Sequence, residues 1–371
     1  MLVQDRLDHI LYEIWRHGQH RMAEFFNSEI KRSRKLVRIT GALLEDGELF
    51  LQQHSQFEED AMPGYGGCLF TLDPVDECDA LVVFNTPPQS ISVKVPYNNV
   101  FAFMQEPGQK FVHPWMFDGL DSYYEVYSPK KEASNVMASH GFLGWSIDRS
   151  LNELIRMQPP VKTRRLSCMI SNAHVYPGHR RRLTLIYKLI TSGVTFDLMG
   201  RGFRNIDDKW EALAPYRFSI ALENASIPHY FTEKISDCFL ARTLPVYWGC
   251  TNLDDYFPPE SFIRIDVEKP RETAAILESL DESEYLRRLP ALEEARRLVL
   301  DKYNPLARID ELLRNRVTGK QKEITINPIL PDPFLKRIYG IFMRYRNYSA
   351  DWLLQRYRIG QMRRFAEKSA F

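Results

Sequence analysis

Residues 216–266 read YRFSIALENASIPHYFTEKISDCFLARTLPVYWGCTNLDDYFPPESFIRID. The stretch passes from an apolar strand through a polar loop to a helix start, and then to a second strand that ends in a glycine turn. Strands and helices that alternate across short loops predict a parallel sheet with helices on both faces. Such a sheet binds its ligands beyond the carboxyl ends of its strands, and this layout is typical of the phosphate-binding half of a nucleotide site.

The helix start at Thr232 is the part of this stretch that carries chemistry. Thr232 is a predicted N-cap, so Glu233 and Lys234 fall in the first helical turn. Free backbone N–H groups and the helix dipole attract anions there, and Lys234 adds a full positive charge. A capped surface helix with an ordinary Glu-Lys pair would look the same in isolation. The polar residues just upstream favour a diphosphate site: Glu223, Asn224 and Tyr230.

The whole chain has 371 residues, a length that predicts two α/β domains. We expect an N-terminal domain over 1–160, a second domain over 161–330 and a tail over 331–371, with a Pro-rich linker in 145–163. An amphipathic helix is predicted within 1–30. Further predicted elements are strands at 35–44, 80–84, 99–104, 122–127, 165–170, 194–199, 217–222, 244–247 and 262–265, helices at 180–191, 207–213 and 232–241, and helical structure across 270–317.

The charge and cysteine content exclude several classes of protein. Lys plus Arg is 49 and Asp plus Glu is 48, so the net charge of +1 is too small to attract nucleic acid. The five cysteines are scattered and odd in number, which argues against a disulfide framework or a zinc site. We find no signal peptide and no apolar run long enough to span a membrane, and therefore predict a cytoplasmic protein.

The C-terminal tail differs from the rest of the chain. From residue 334 onward it holds nine Lys or Arg residues interleaved with aromatic and aliphatic ones. A basic amphipathic helix of this kind can lie on the anionic inner face of a membrane. The alternative is a helix docked on the protein's own surface.

Five short matches within 216–266 resemble a known family. They are L-E-N at 222–224, Tyr230, T-E-K at 232–234, L-P-V-Y-W-G at 244–249 and F-P-P-E-S-F-I at 257–263. This pattern is similar to the donor-binding motif of the α-1,3-fucosyltransferases, glycosyltransferase family 10. The resemblance implies the GT-B fold, in which two Rossmann-like domains face a cleft. It also implies that the second domain holds GDP-fucose and the first holds the acceptor. Leu222, where the family usually has Phe, and Trp248 depart from the pattern.

The resemblance also assigns roles to individual residues. Ser171 and Asn172 correspond to the family's S-N loop, and a diphosphate-binding arginine follows it within Arg180-Arg181-Arg182. We prefer Arg180 and then Arg182, because a planar guanidinium meets two phosphate oxygens at once. The remaining donor-binding residues are Glu223, Asn224, Tyr230, Thr232, Glu233 and Lys234, of which Glu233 and Asn224 would orient ribose or fucose.

Transfer from GDP-β-L-fucose to an α-linkage inverts the anomeric carbon, so a single displacement needs a base on the acceptor hydroxyl. The family's base lies in a glutamate-containing loop after an N-domain strand, and Glu106 in Q-E-P-G stands at that place. A surface Glu opening the turn before Pro107 is the alternative, and Glu125 and Asp118 are weaker candidates. We find no D-x-D motif and no glycine-rich dinucleotide fingerprint, so no metal and no cofactor is expected.

The sequence therefore predicts an inverting fucosyltransferase-like enzyme with a glycan or lipid-linked acceptor, such as a lipopolysaccharide precursor. Two alternatives stay open at this point. One is a GT-B transferase that uses another nucleotide sugar, and the other is a non-catalytic nucleotide-sugar-binding protein.

Overall fold

A computed structural model describes residues 34–42, 44, 46–59, 62–110, 112–142, 144–174, 176–334, 338 and 350–368. The helix predicted within 1–30 lies outside these residues. Two large, separate β-sheets organise the described chain, one of eight strands and one of five. The predicted α/β architecture with two Rossmann-like domains, the GT-B arrangement, is thereby confirmed.

The first sheet has the strand order β2-β3-β4-β1-β5-β7-β8-β9. Strands from β4 to β9 in this order are parallel, whereas β2 and β3 extend the edge as antiparallel strands. Their bounds are β1 Lys35–Gly41, β2 Phe57–Glu59, β3 Met62–Tyr65, β4 Cys68–Thr71, β5 Ala80–Phe84, β7 Val100–Phe103, β8 Glu125–Ser128 and β9 Val136–Ala138. The hairpin strands were not predicted, because they are short and Pro63 and Gly64 interrupt the apolar pattern.

Both faces of the first sheet are covered, which explains why β5 and β7 are buried along their whole length. Helices α1 (Gly47–His54) and α7 (Pro305–Arg314) cover one face. The other face packs against β6 (Ile91–Pro96), which pairs with β15 (Gln321–Ile326) in a separate two-stranded sheet.

The second sheet is entirely parallel, with the order β11-β10-β12-β13-β14. Its strands are β10 Arg164–Met169, β11 Asp197–Met199, β12 Tyr216–Leu222, β13 Leu244–Trp248 and β14 Ile263–Arg264. Helices α3 (Pro177–Thr191), α4 (Glu233–Leu240), α5 (Pro270–Ser279) and α6 (Glu282–Asp301) accompany it. The strand order reverses between β11 and β12, so the sheet has a topological switch point at the carboxyl ends of β10 and β12.

Two predicted boundaries need correction. The linker predicted at 145–163 contains helix α2 (Leu151–Arg156), which starts with a Ser150–Glu153 capping box and buries Leu151 and Leu154 in the second core. Residues 305–326 belong by sequence position to the predicted second domain, yet they pack as α7 and β15 on the first. The chain therefore returns to the first domain after the second, because the apolar face of α7 packs on the first sheet.

The C-terminal helix α8 (Ala350–Lys368) docks on the second domain. Gln355 and Arg358 donate hydrogen bonds to Thr184 Oγ1 on α3, and Ile359, Met362 and Ala366 are buried against the core. This part of the tail thus adopts the docked alternative. Among the helices described here, none has both the length and the apolar character that a bilayer crossing requires.

Candidate active site

Two loops that are far apart in sequence meet at the switch point of the second sheet. Ser171 and Asn172 follow β10, and Glu223 and Asn224 follow the adjacent β12. Gly178 lies in the first turn of α3, where a Cβ atom would collide with the carbonyl oxygen of Asn224. Glycine therefore allows the start of α3 to touch the end of β12, and the two predicted halves of the site become one surface.

The start of α4 is fixed by a buried carboxylate. Glu223 is fully buried, and its two oxygens accept the Thr232 N–H at 2.8 Å and the Thr232 hydroxyl at 2.7 Å. Gly249 leaves the space that the Glu223 side chain occupies. Burial raises the pKa of the Glu223 carboxyl, and the nearby charge of Lys234 opposes that rise. The placement of Glu223 among donor-contacting residues is corrected: it positions the Thr232 cap instead, since it has no exposed surface.

Lys234 is the cation of this helix start. Its Nζ lies 3.0 Å from Glu233 Oε1, 3.0 Å from Thr232 Oγ1 and 3.5 Å from Glu223 Oε2. Burial alone would lower the pKa of Lys234, but Glu233 and Glu223 raise it above its ordinary value, so the ammonium group stays charged. Burial likewise opposes ionisation of Glu233, but Lys234 and Lys209 bring its pKa down to about 2. Lys234 and Glu233 keep 23% and 20% of their side chains exposed, so a ligand can reach both.

The three consecutive arginines of α3 point in different directions. Arg181 is exposed and pairs with Glu268 at 3.3 Å. Arg182 is buried and donates to the carbonyl oxygen of Leu222 at 3.0 Å, and burial lowers the pKa of its guanidinium. Arg180 lies within 3.4 Å of the His174 carbonyl oxygen in the loop after β10. Arg180 and Arg182 thus face the switch point, whereas Arg181 faces away from it.

Tyr230 is buried beside the charged residues of both domains. Its pKa is raised well above the ordinary value by burial and by the carboxylates of Glu223, Glu106 and Glu233. Tyr230, which belongs to the loop after β12, therefore stays neutral.

Glu106 follows β7 of the first domain and faces the start of α4. Burial raises its pKa to about 6, while the charge of Lys234 lowers that pKa and the charge of Glu233 raises it. The fold therefore brings Glu106 near the charges of the second domain. Glu125, a weaker candidate base, is instead held by Arg316 at 2.8 Å and by the Tyr127 hydroxyl at 2.7 Å.

Asn85 holds the loop that carries Glu106, and the sequence did not single it out. Its side-chain oxygen accepts the Gln105 N–H at 2.9 Å, and its side-chain amide donates to Gln105 Oε1 at 3.1 Å. Asn85 has a φ of 64°, a left-handed conformation that asparagine tolerates. The motif Asn85-Thr86-Pro87 directly after a buried strand was the available signal.

His113 is the second residue that the sequence missed. Its Nδ1 accepts the Gln109 N–H at 3.3 Å, so the proton of the neutral ring is on Nε2, which lies 3.6 Å from Glu106 Oε2. Burial lowers the pKa of His113 to about 4, and the neutral ring therefore directs an N–H toward the carboxylate at neutral pH.

The two domains contact each other directly next to the site. The His140 ring stacks on Phe231 with centroids 4.4 Å apart, and the Ser146 N–H donates to Asp237 Oδ1 on α4 at 2.8 Å. His140 is buried and its Nδ1 accepts the Phe142 N–H, so the ring has a structural role at this contact. These contacts set the distance between the loop after β7 and the start of α4.

Comparison with known proteins gives one family match, which lies in the second domain, and several more distant relatives. The family described as glycosyltransferase family 10 (fucosyltransferase) C-term matches residues 159–288. The 4-galactosyl-N-acetylglucosaminide 3-alpha-L-fucosyltransferase FUT6 of Homo sapiens is 25% identical over 244 residues, which cover 59% of this chain and 63% of the relative. This chain therefore spans somewhat less than two thirds of that relative's length.

Two further similarities were found. The alpha-(1,3)-fucosyltransferase FucT of Helicobacter pylori is 38% identical over 61 residues, which cover 16% of this chain and 13% of the relative. A solved alpha1,3-fucosyltransferase with GDP superposes with a TM-score of 0.45 and 17% identity, covering 77% of this chain and 92% of that one.

Proposed function

Residues 159–288 of this chain belong to glycosyltransferase family 10, and on that premise we propose that the protein transfers fucose from GDP-fucose to a hydroxyl group of a glycan. The observation that carries the proposal is that Glu106 of the first domain lies within electrostatic reach of Lys234 and Glu233 at the start of α4. A proton acceptor from one domain is thus placed near an anion-binding cation of the other. Transfer of a sugar from a nucleoside diphosphate requires both groups.

The second domain would hold the donor by its diphosphate. The first-turn N–H groups of α4 and the Lys234 ammonium supply positive charge, and Arg180 or Arg182 approaches from α3. Negative charge grows on the β-phosphate oxygen as its bond to the fucose C1 breaks. Charges already in place stabilise that leaving group without reorganisation. Glu233 and Asn224 are half-buried at the same edge and would orient ribose or fucose.

Glu106 would act as the base. With a pKa of about 6 it is mostly ionised at neutral pH, yet it is more basic than an ordinary glutamate. The acceptor O–H gives its proton to Glu106 while its oxygen bonds to C1 from the side opposite the departing GDP. One displacement of this kind inverts the anomeric carbon. The protein, the donor and the acceptor together supply every group that the step needs. The absence of a metal requirement remains a prediction.

Binding and transfer assays on two variants test the two halves of the proposal separately. Lys234→Ala is expected to weaken GDP binding by about 10-fold to 100-fold, since a charge-assisted contact with phosphate is lost. Lys188→Ala, on the half of α3 remote from the loops, is the matched control and is expected to leave GDP affinity unchanged. Equal GDP affinity in wild type and Lys234→Ala would remove the diphosphate assignment.

Glu106→Gln is expected to bind GDP normally and to lose about 10²-fold to 10⁴-fold in transfer rate.

A donor panel of GDP-fucose, GDP-mannose and UDP-sugars identifies the sugar that is transferred. The panel is needed because the buried residues Leu222 and Trp248 depart from the family pattern. Donor binding without turnover on any acceptor, together with no effect of Glu106→Gln, would instead identify a non-catalytic binding protein.

We propose a cytoplasmic location with the acceptor at the inner membrane face. Support comes from exposed side chains of α8: Leu354 and Tyr357 are 44% and 57% exposed, and the basic residues Arg364 and Lys368 are exposed further along the same helix. Co-sedimentation with phosphatidylglycerol vesicles, compared with phosphatidylcholine vesicles, tests this location. Equal recovery with both would contradict it.

A further inference from the structure

A cavity of about 370 Å³ lies between the C-terminal helix and the loop after β10. Asn172 and His174 of that loop form one side, and Arg356, Ile359, Gly360 and Arg363 of α8 form the other. The loop leads directly into α3 and its arginines. The α8 side, however, comes from residues outside the 159–288 family region. The cavity thus adjoins the proposed donor site but is built partly by a segment outside the family match.

The docking of α8 holds its cationic side chains at the cavity. Arg358 and Gln355 anchor the helix to Thr184, one turn before Ile359 reaches the core. Arg363 Nε donates to the Gly202 carbonyl oxygen at 2.8 Å. Gly202 has a φ of 86° and packs so closely on Asn172 that a Cβ would collide with its side-chain amide. The helix, the glycine turn after β11 and the loop after β10 therefore form one connected wall.

The side chains that line the cavity favour an anionic ligand. Guanidinium groups only donate hydrogen bonds, and the side-chain amide of Asn172 can donate as well, whereas His174 Nδ1 already donates to the Asn172 carbonyl oxygen at 3.1 Å. The described residues that line the cavity include two full positive charges and no carboxylate. Two guanidinium groups at one cavity match the tetrahedral, multiply charged oxygens of phosphate better than any neutral ligand.

We propose that Arg356, Arg363 and Asn172 form a phosphate-binding site on the C-terminal helix, next to the loop after β10. The site deepens the proposed function, because its position next to the loop after β10 makes a substrate phosphate its natural ligand. That phosphate is either part of the donor nucleotide or carried by a phosphorylated acceptor. In both cases α8 contributes ligand-binding residues to the donor domain.

Gly360 offers a way to block the cavity without removing a charge. A Cβ at this helical position would meet no atom within 4 Å, so a larger side chain can enter the open space without displacing backbone. Gly360→Met is therefore expected to fill the cavity while α8 stays docked. Gly360→Ala is the small-side-chain control, and Arg364→Gln, on the same helix but not among the lining residues, is the charge control.

Binding of inorganic phosphate to the full chain tests the proposal, with Lys234→Ala as the background so that binding at the first site is weakened. In that background we expect phosphate to bind at millimolar concentration. Adding Arg356→Gln together with Arg363→Gln, or adding Gly360→Met, is expected to weaken binding at least about 10-fold. Gly360→Ala and Arg364→Gln are expected to leave it unchanged. Thermal melts of each variant verify that it is folded.

GDP titration of the Arg356→Gln/Arg363→Gln protein, with Lys234 intact, identifies the source of the phosphate. A GDP affinity reduced about 10-fold indicates that the donor's own phosphates reach the cavity, and an unchanged affinity indicates a phosphate on another molecule. The proposal is overturned if the Lys234→Ala protein binds no phosphate. It is also overturned if phosphate still binds after the double arginine change and after Gly360→Met. GDP binding that depends on Lys234 can persist in that case, so this failure is distinct from failure of the proposed function.

Discussion

Replacing Glu106 by glutamine should stabilise the folded protein at neutral pH while it abolishes transfer. The folded-state pKa of Glu106 is about 6, against an ordinary 4.5. The folded protein thus holds this proton more tightly than the unfolded chain. The contribution of the carboxyl to stability is complete below pH 4.5 and is lost as the pH rises through 6. Glutamine keeps the neutral side chain and has no such loss.

The magnitude follows from the size of the pKa shift. A rise from 4.5 to about 6 corresponds to about 2 kcal/mol at most. Because 30% of the Glu106 side chain is exposed, we expect about 1 kcal/mol. Active sites commonly contain a catalytic group that lowers the stability of the folded protein.

Urea unfolding of wild type and Glu106→Gln between pH 4.5 and 7.5 measures this difference. The two proteins should be equally stable at the acid end, and the variant should become the more stable one above pH 6. Wild-type kcat/KM should fall about tenfold per pH unit below pH 6. Glu125→Gln is the matched control, and it should lose stability at neutral pH because it breaks the contacts of Glu125 with Arg316. A Glu106→Gln protein that is less stable than wild type at pH 7.5, or an activity that declines only below pH 4.5, would refute the reasoning.

Substitutions at three further positions test the residues that support the site. Gly178→Ala should push α3 away from the Asn224 carbonyl and reduce GDP affinity at least about 10-fold by calorimetry, and unchanged affinity would show that the two loops need not touch. Glu223→Ala should cost about 3–5 kcal/mol in chemical unfolding, because a buried, hydrogen-bonded carboxylate is removed from a paired lysine. Asn85→Gly keeps the left-handed backbone but removes both hydrogen bonds to Gln105, and should lower kcat with little change in KM for the donor. Asn85→Ala should add a loss of stability of about 1 kcal/mol, and equal kcat in wild type and Asn85→Gly would exclude the positioning role.

Local patterns in the sequence were sufficient to predict the start of α4 and the strands around it. Capping, periodicity and turn chemistry act over a few residues, so Thr232 and the following turn could be predicted within one or two positions. Buried parallel strands such as β5 and β12 are continuous apolar runs and were equally visible. The short hairpin strands and α2 were missed, because their apolar content is too small to show a period.

Spatial relations between distant segments were decided by the tertiary structure alone. No local signal shows that Glu223 would be fully buried, that Asn85 would hold Gln105, or that α8 would dock beside Asn172. Each of these depends on which surfaces exclude water from each other, a property of the packed chain and not of any one segment. The sequence by itself determined the anion-binding helix start, whereas the approach of Glu106 to that helix depends on contacts between the two domains, such as the stacking of His140 on Phe231, that join segments far apart in the chain.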